Sequence, residues 1–171
     1  KTVTAAIERG SATFAAGLLR GLFDADGSVQ GSQHKGVSVR LTQSDVALLE
    51  AVQRMLLRLG IASTLHRDRH AAGHKSMPDG RGGSRRYPVR AVHELVVSAS
   101  SLREFAERIG FADTAKAARL DDLLASYRRG LNRERFTATV AAVDDDGVED
   151  VYDVTVADVH AFDANGFAPR M

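Results

Sequence analysis

Two aspartates and a glycine, Asp24-Ala25-Asp26-Gly27, close a run that reads as a short helix, Gly17-Leu18-Leu19-Arg20-Gly21-Leu22-Phe23. Gly17 and Gly21 are one helical turn apart and share a face. Glycine inside a helix costs roughly 1 kcal/mol relative to alanine, so two on one face ask for a neighbour that packs almost to backbone contact. The C-terminus of a helix already carries partial negative charge on its orphan carbonyls. Adding Asp24 and Asp26 there is unfavourable unless a cation arrives. Gly27 is expected to take a positive φ and turn the chain out of the helix. These features describe an oxygen-donor site for a hard cation at a helix–helix junction. The same residues would also make a plain helix C-cap with two solvated aspartates.

The positive charge is unevenly placed. Net charge over the 171 residues is only +1, so overall basicity does not announce a nucleic-acid partner. Between His66 and Arg90, however, lie Arg67, Arg69, Lys75, Arg81, Arg85 and Arg86, opposed only by Asp68 and Asp79, while acids concentrate in 144–158. Such asymmetry turns one end of the molecule toward a polyanion. Cysteine is absent, which excludes disulfides, thiolate metal sites and a thiol nucleophile and fits an intracellular, cytoplasmic location. No apolar run approaches the ~18–20 residues of a membrane span, so no membrane partner is expected. The first ten residues show no signal peptide, and the missing initiator Met suggests a fragment or a processed chain.

Elements that could position these residues follow from periodicity. Thr13–Ala25 reads as the first helix. Two short β segments fill Val29–Gln43 around a turn at Gln33-His34-Lys35-Gly36; Val37, Val39 and Leu41 alternate with Ser38, Arg40 and Thr42, giving one apolar and one polar face. Ser44 or Asp45 caps an amphipathic helix carrying Leu48, Leu49, Val52, Leu56 and Leu59, which Gly60 ends. Ile61–His66 reads as a strand, Ala71–Arg86 as a mobile loop with a turn at Pro78-Asp79-Gly80, and Tyr87–Ala99 as a returning strand. Ser100 or Ser101 caps a helix to Ile109, closed by Gly110, and Asp113 or Thr114 starts another to about Arg128. This order, α-β-β-α-β-β-α-α, predicts an α+β fold with helices on one face of a curved antiparallel sheet and the other face open for a ligand. Composition shifts at Gly130-Leu131-Asn132-Arg133, and the remainder reads as all β, with strands at Thr137–Val143 and Val151–Val156 and a turn at Asp145-Asp146-Gly147. About 36 residues cannot bury a core alone, so this tail must pack on the first domain or on a missing partner.

The run Leu19-Arg20-Gly21-Leu22-Phe23-Asp24-Ala25-Asp26-Gly27 resembles the LAGLIDADG signature of homing endonucleases, with Arg20 for the small second residue and Phe23 for the aliphatic fifth. The resemblance covers roughly residues 10–130 and implies the αββαββα half-saddle of that family, with an endonuclease domain at 1–131. It implies that Asp26, beside the Ala25 carbonyl, ligates Mg²⁺ or another divalent cation, and that Asp24 serves the helix junction. Gln43, in Leu41-Thr42-Gln43, matches the position where many of these enzymes order water; a surface residue at a strand end is the plain alternative. Lys116, in Lys116-Ala117-Ala118-Arg119-Leu120, matches the Lys-x-x-x-Leu patch that carries an active-site lysine; an ordinary helix-face lysine is the alternative. On this reading Ser38, Arg40, Thr42, Arg67, Arg69, Lys75, Arg81, Arg85, Arg86 and Arg90 face double-stranded DNA. A single motif supplies one acid, and cutting a duplex takes two, so the resemblance implies a homodimer through Gly17 and Gly21; half of a two-motif enzyme is the alternative.

The tail resembles the C-terminal splicing blocks of an intein, a Hint-domain remnant at 135–171, within Val151-Tyr152-Asp153-Val154-Thr155-Val156 and His160-Ala161-Phe162-Asp163-Ala164-Asn165-Gly166-Phe167. Asp153 and His160 would be the splicing-assist residues, with a host protein, the extein, around the element in the precursor. Where an intein closes with His-Asn, this chain has Arg170 and Met171, neither of which can perform the cyclisation. The chain as given is therefore expected to cut DNA in a site-specific, metal-dependent way and not to splice. An inactive intein remnant and a non-cleaving DNA-binding module of the same fold are the alternatives.

Overall fold

The computed structural model describes residues 2–32, 35–80, 82–127 and 139–150. The chain divides into two compact units, 1–134 and 135–171. In the first, a short helix α1 (Ala5–Glu8) precedes α2 (Ala12–Asp26), strands β1 (Gly27–Ser32) and β2 (Gly36–Gln43), α3 (Val46–Arg58), strands β3 (Thr64–His70), β4 (Gly73–Pro78), β5 (Ser84–Val89) and β6 (Val92–Ser98), then α4 (Ser101–Arg108) and α5 (Thr114–Ala125). β1, β2, β6 and β3 form one antiparallel sheet in that order, and β4 pairs with β5. This is the expected α+β architecture.

One face of the sheet makes the core. Val39, Leu41, Leu95 and Val97 are fully buried beneath Leu19 and Phe23 of α2, Leu49, Val52, Met55 and Leu56 of α3, and Phe105 of α4. Ala15, Leu19 and Phe23 recur every fourth residue, so one stripe of α2 is apolar and inward. The Phe23 and Phe105 rings meet edge to face, 4.9 Å between centroids, and Phe111 lies 5.5 Å beyond Phe105. Asp45 caps α3 by accepting from the Leu48 N–H at 3.2 Å, and Gly60, at φ +77°, ends it with backbone bonds to Leu57 and from Ile61 to Leu56.

Three expectations are corrected. The segment Ala71–Arg86 is not a loop. Gly73–Pro78 and Ser84–Val89 pair as a β-hairpin, turned at Asp79, whose N–H bonds the Gly83 carbonyl and whose carboxylate accepts the Gly83 N–H. Its Gly, Arg and His content hid the pairing because neither face is buried, so no apolar alternation marks it. Gly27 does not take a positive φ: it is extended, at φ −84° and ψ 162°. Glycine is demanded there by space, since a Cβ would lie 2.5 Å from the Phe23 carbonyl oxygen. In the second unit, the described part of the expected Thr137–Val143 strand, 139–143, carries no strand pairing. The expected Asp145-Asp146-Gly147 turn is present, with the Gly147 N–H donating to the Asp145 carboxylate at 2.9 Å. The Val151–Val156 strand and the Gln33-His34 part of the first turn lie outside the described residues.

The helix α1 is held against α3 by ions. Arg54 donates from Nε and Nη2 to both Glu8 carboxylate oxygens, at 2.5 and 2.9 Å, and Arg58 bonds the Glu8 and Gly10 carbonyls. The Arg54 hydrogen bond, against an opposing effect of burial, holds the Glu8 carboxyl below its ordinary value of 4.5. A carboxyl lowered in the folded state stabilises above its unfolded pKa and loses that contribution as pH falls through the folded one. Glu8→Gln should therefore cost about 0.5–1 kcal/mol at neutral pH and nothing once pH is well below 4.5. Urea unfolding at both pH values reads the difference.

Candidate active site and nucleic-acid interface

Asp26 is the last residue of α2, and β1 starts at the next residue. Gln43 is the last residue of β2, two beyond the Leu41 that pairs with Gly27. Strand pairing therefore carries Gln43 to the helix end, where its Nε2 donates to Asp26 Oδ2 at 2.7 Å. Lys116 comes from the first turn of α5, and its Nζ donates to the Phe23 and Asp24 carbonyls at 3.2 and 2.5 Å. Structure thus brings Asp26, Gln43 and Lys116 to one helix terminus from positions 17 and 90 residues away from Asp26 in sequence.

Asp24 faces inward along the chain. Its carboxylate accepts the Ala112 N–H at 3.0 Å and the Asp113 N–H at 3.1 Å, at the start of α5. The negative end of α2 and its two acids are thus compensated partly from within the chain, by the Lys116 ammonium and the α5 amides. Sequence reasoning asked for a cation and did not foresee that Lys116 would stand on the α2 carbonyls. Asp24→Ala should cost about 1–2 kcal/mol, because it strips a cap and leaves two amides without it; thermal melting measures it.

Gly17 and Gly21 are exposed, and a Cβ at either would meet nothing within 4 Å. The close neighbour that the stripe asks for is not in this chain's described residues. The same outer face of α2 carries Ala25 and a half-exposed Phe14. Two further arginines that sequence reasoning missed tie neighbouring elements together, one on α2 and one reaching β1. Arg20 donates to the Ile109 carbonyl at 2.5 Å, and Arg119 of α5 to the Val29 carbonyl at 3.0 Å. A basic residue in an otherwise apolar helix was the visible signal for Arg20; its partner was not.

The sheet face opposite the helices carries Ser38, Arg40 and Thr42 of β2. Arg40 donates to Ser38 Oγ at 3.0 Å and to Glu94 Oε2 of β6 at 2.9 Å, and Arg69 Nε lies 3.6 Å from the same Glu94 oxygen. Ser38 and Glu94 are nearly buried, at 7% and 8% exposure, and Thr42 is exposed. Beyond this face the β4–β5 hairpin presents Lys75, Arg85 and Arg86, all exposed, with Arg85 6.0 Å from the Tyr87 ring centre; Arg90 is exposed at its base. Arg67 departs from the rest. It bonds Glu50 of α3, on the helix side of the sheet. Arg81, Asp153, His160, Arg170 and Met171 lie outside the described residues.

Among the described residues no three His, Asp or Glu side chains gather to hold a metal, and no described helix is long and apolar enough to cross a membrane. Residues 13–110 match the family of the LAGLIDADG-like domain. The chain belongs to that family. The LAGLIDADG-like domain also has relatives inside much larger proteins. It is 33% identical over 155 residues to the ribonucleoside-diphosphate reductase NrdEB subunit alpha of Bacillus subtilis, covering 88% of this chain and 14% of that one. It is 31% identical over 158 residues to a DNA polymerase of Thermococcus litoralis, covering 90% and 8%. A ribonucleoside-diphosphate reductase large subunit of Invertebrate iridescent virus 6 is 30% identical over 149 residues, covering 86% and 14%. The chain therefore spans about a seventh or less of each of these relatives.

Proposed function

We propose that this LAGLIDADG-like domain is a site-specific DNA endonuclease of the homing type, acting as a symmetric pair of chains. The observation that carries the reading is the placement of Asp26. An exposed carboxylate ends a helix whose outer face is bare glycine, and Gln43 is bonded to that carboxylate. Pairing two chains through Gly17 and Gly21 would set two such helix ends side by side, one acid for each strand of a duplex. Oxygen donors suit a hard divalent cation, and the set fits: Asp26 would hold Mg²⁺ together with the Ala25 carbonyl, the second carboxylate coming from the partner copy. Bound there, Mg²⁺ would lower the pKa of water and offset charge on the phosphodiester.

The chain's own residues do the rest. Gln43 uses its amide N–H on Asp26, which fixes the side chain and aims its carbonyl oxygen as an acceptor for a water proton. Lys116 keeps a positive charge at the helix end, where it opposes the carbonyl dipole and favours an approaching phosphate. The polar sheet face with Arg40 and Thr42, and the Lys75, Arg85, Arg86 and Arg90 arm, offer a groove-facing surface for DNA.

The element is read as intein-borne. One segment is related to small parts of a reductase and of a DNA polymerase, enzymes with different chemistries, which is what an inserted element predicts. The Asp153 and His160 resemblance supports the same reading. The test is a duplex containing the uninterrupted host sequence, incubated with and without magnesium. Magnesium-dependent double-strand scission supports the endonuclease. Salt-sensitive binding without scission points to a scaffold kept for recognition, and no binding at low salt to an inert remnant.

A further inference from the structure

Arg40 is a long, flexible side chain on the open sheet face, yet it is tethered at two points. Its Nε donates to Ser38 Oγ at 3.0 Å and its Nη1 to Glu94 Oε2 at 2.9 Å. Both tethers are themselves nearly buried, Ser38 at 7% and Glu94 at 8% exposure. Glu94 arrives from the neighbouring strand, opposite Thr42 in the β2–β6 register, so it reaches Arg40 diagonally across the face. The same oxygen lies 3.6 Å from Arg69 Nε.

An acid in the middle of a surface meant for a polyanion weakens binding to phosphate everywhere. Its presence needs a return in selectivity. We propose that Glu94 is a positioning residue that holds Arg40 as a reader of one guanine in each half of the DNA site, an inference that rests on the DNA-binding reading above. The two tethers occupy two of a guanidinium's five N–H donors. The fork at the Nη end then matches guanine O6 and N7 in the major groove. Tethering removes, before DNA arrives, the rotamer entropy that an untethered arginine would lose on binding. It also biases Arg40 against swinging to the nearest phosphate, because leaving would cost the nearly buried Glu94 its 2.9 Å hydrogen bond and leave it only the longer 3.6 Å contact with Arg69.

The experiment selects bound duplexes from a randomised library with the full chain, then measures binding of the best duplex and of the same duplex with single base changes. Wild type should enrich one guanine per half-site and discriminate against its replacement by about 5- to 150-fold. Arg40→Gln should lose that preference alone, shifting it toward adenine. Glu94→Gln should do two opposite things: blunt the guanine preference and tighten binding to duplexes lacking the site, since one negative charge leaves the face. A purely repulsive acid would give only the second effect. If Glu94→Gln melts early, Ser38→Ala removes the other tether and should blunt the preference by a smaller factor.

Equal weakening on all duplexes by Arg40→Gln would make Arg40 a phosphate contact and overturn the proposal. An unchanged guanine preference in Glu94→Gln, or in Ser38→Ala where that variant stands in, would do the same. No retention of any duplex by wild type at low salt would sink the DNA-binding reading together with it, whereas retention with no enriched guanine would sink this inference alone.

Discussion

Asp26→Asn should leave a folded chain that still binds duplex DNA and should lower magnesium-dependent cleavage by roughly 10³-fold or more. Asparagine keeps the size of aspartate and an oxygen that can accept from Gln43, so the hydrogen bond at 2.7 Å has a neutral counterpart. What is lost is the charge that a divalent cation requires. The sign of the stability change makes the prediction sharp. Asp26 stands at the negative end of α2, so its removal should leave stability unchanged or raise it by about 0.3–1 kcal/mol. A cleavage assay and a thermal melt of the same preparation decide the matter. A variant that melts many degrees early would show Asp26 to be structural, and one that cuts at the normal rate would remove it from the chemistry.

Gly21→Leu should split the proposed homodimer and abolish double-strand cleavage without unfolding the chain. A Cβ at Gly21 meets nothing within 4 Å in the single chain, so the fold has room for the larger residue. Leucine is also a better helix former than glycine, by about 0.8–1 kcal/mol. The isolated chain should thus gain stability, while a second helix packed against Gly17 and Gly21 would collide with the new side chain. Sedimentation and urea unfolding read the two effects separately. An unchanged mass in sedimentation, with stability raised, would show that the stripe faces only water. Gly17→Ala offers a milder version, raising stability of the single chain and weakening association less.

How much was legible in the sequence differs from element to element. Apolar residues at period two marked β2, and the apolar face of Leu48, Leu49, Val52, Leu56 and Leu59 marked α3, because the two faces of each element meet different media. Caps were readable to within one residue, as Ser44 or Asp45 and Asp113 or Thr114; the structure selects Asp45 and Asp113, each accepting from a backbone amide three residues on, at Leu48 and Lys116. The β4–β5 hairpin was not legible, since neither of its faces is buried and no apolar alternation runs along its strands. Gly27 was read for the wrong reason. The need for glycine was visible, but whether it came from φ or from crowding depends on the Phe23 backbone folded against it.

By itself, the sequence determined the acid-glycine helix end, the glycine face, the helical and strand periodicities and the concentration of positive charge between His66 and Arg90. These are properties of composition and short spacing, and no distant contact is needed to express them. Only the tertiary structure decided which groups answer the negative end of α2. It placed Lys116 on the Phe23 and Asp24 carbonyls, the α5 amides on Asp24 and Gln43 on Asp26. It also turned Arg67 to Glu50 and tied Arg40 to Glu94. Partners that lie tens of residues apart are chosen by strand register and helix packing, and those are set by the burial of the whole core rather than by any local run of residues.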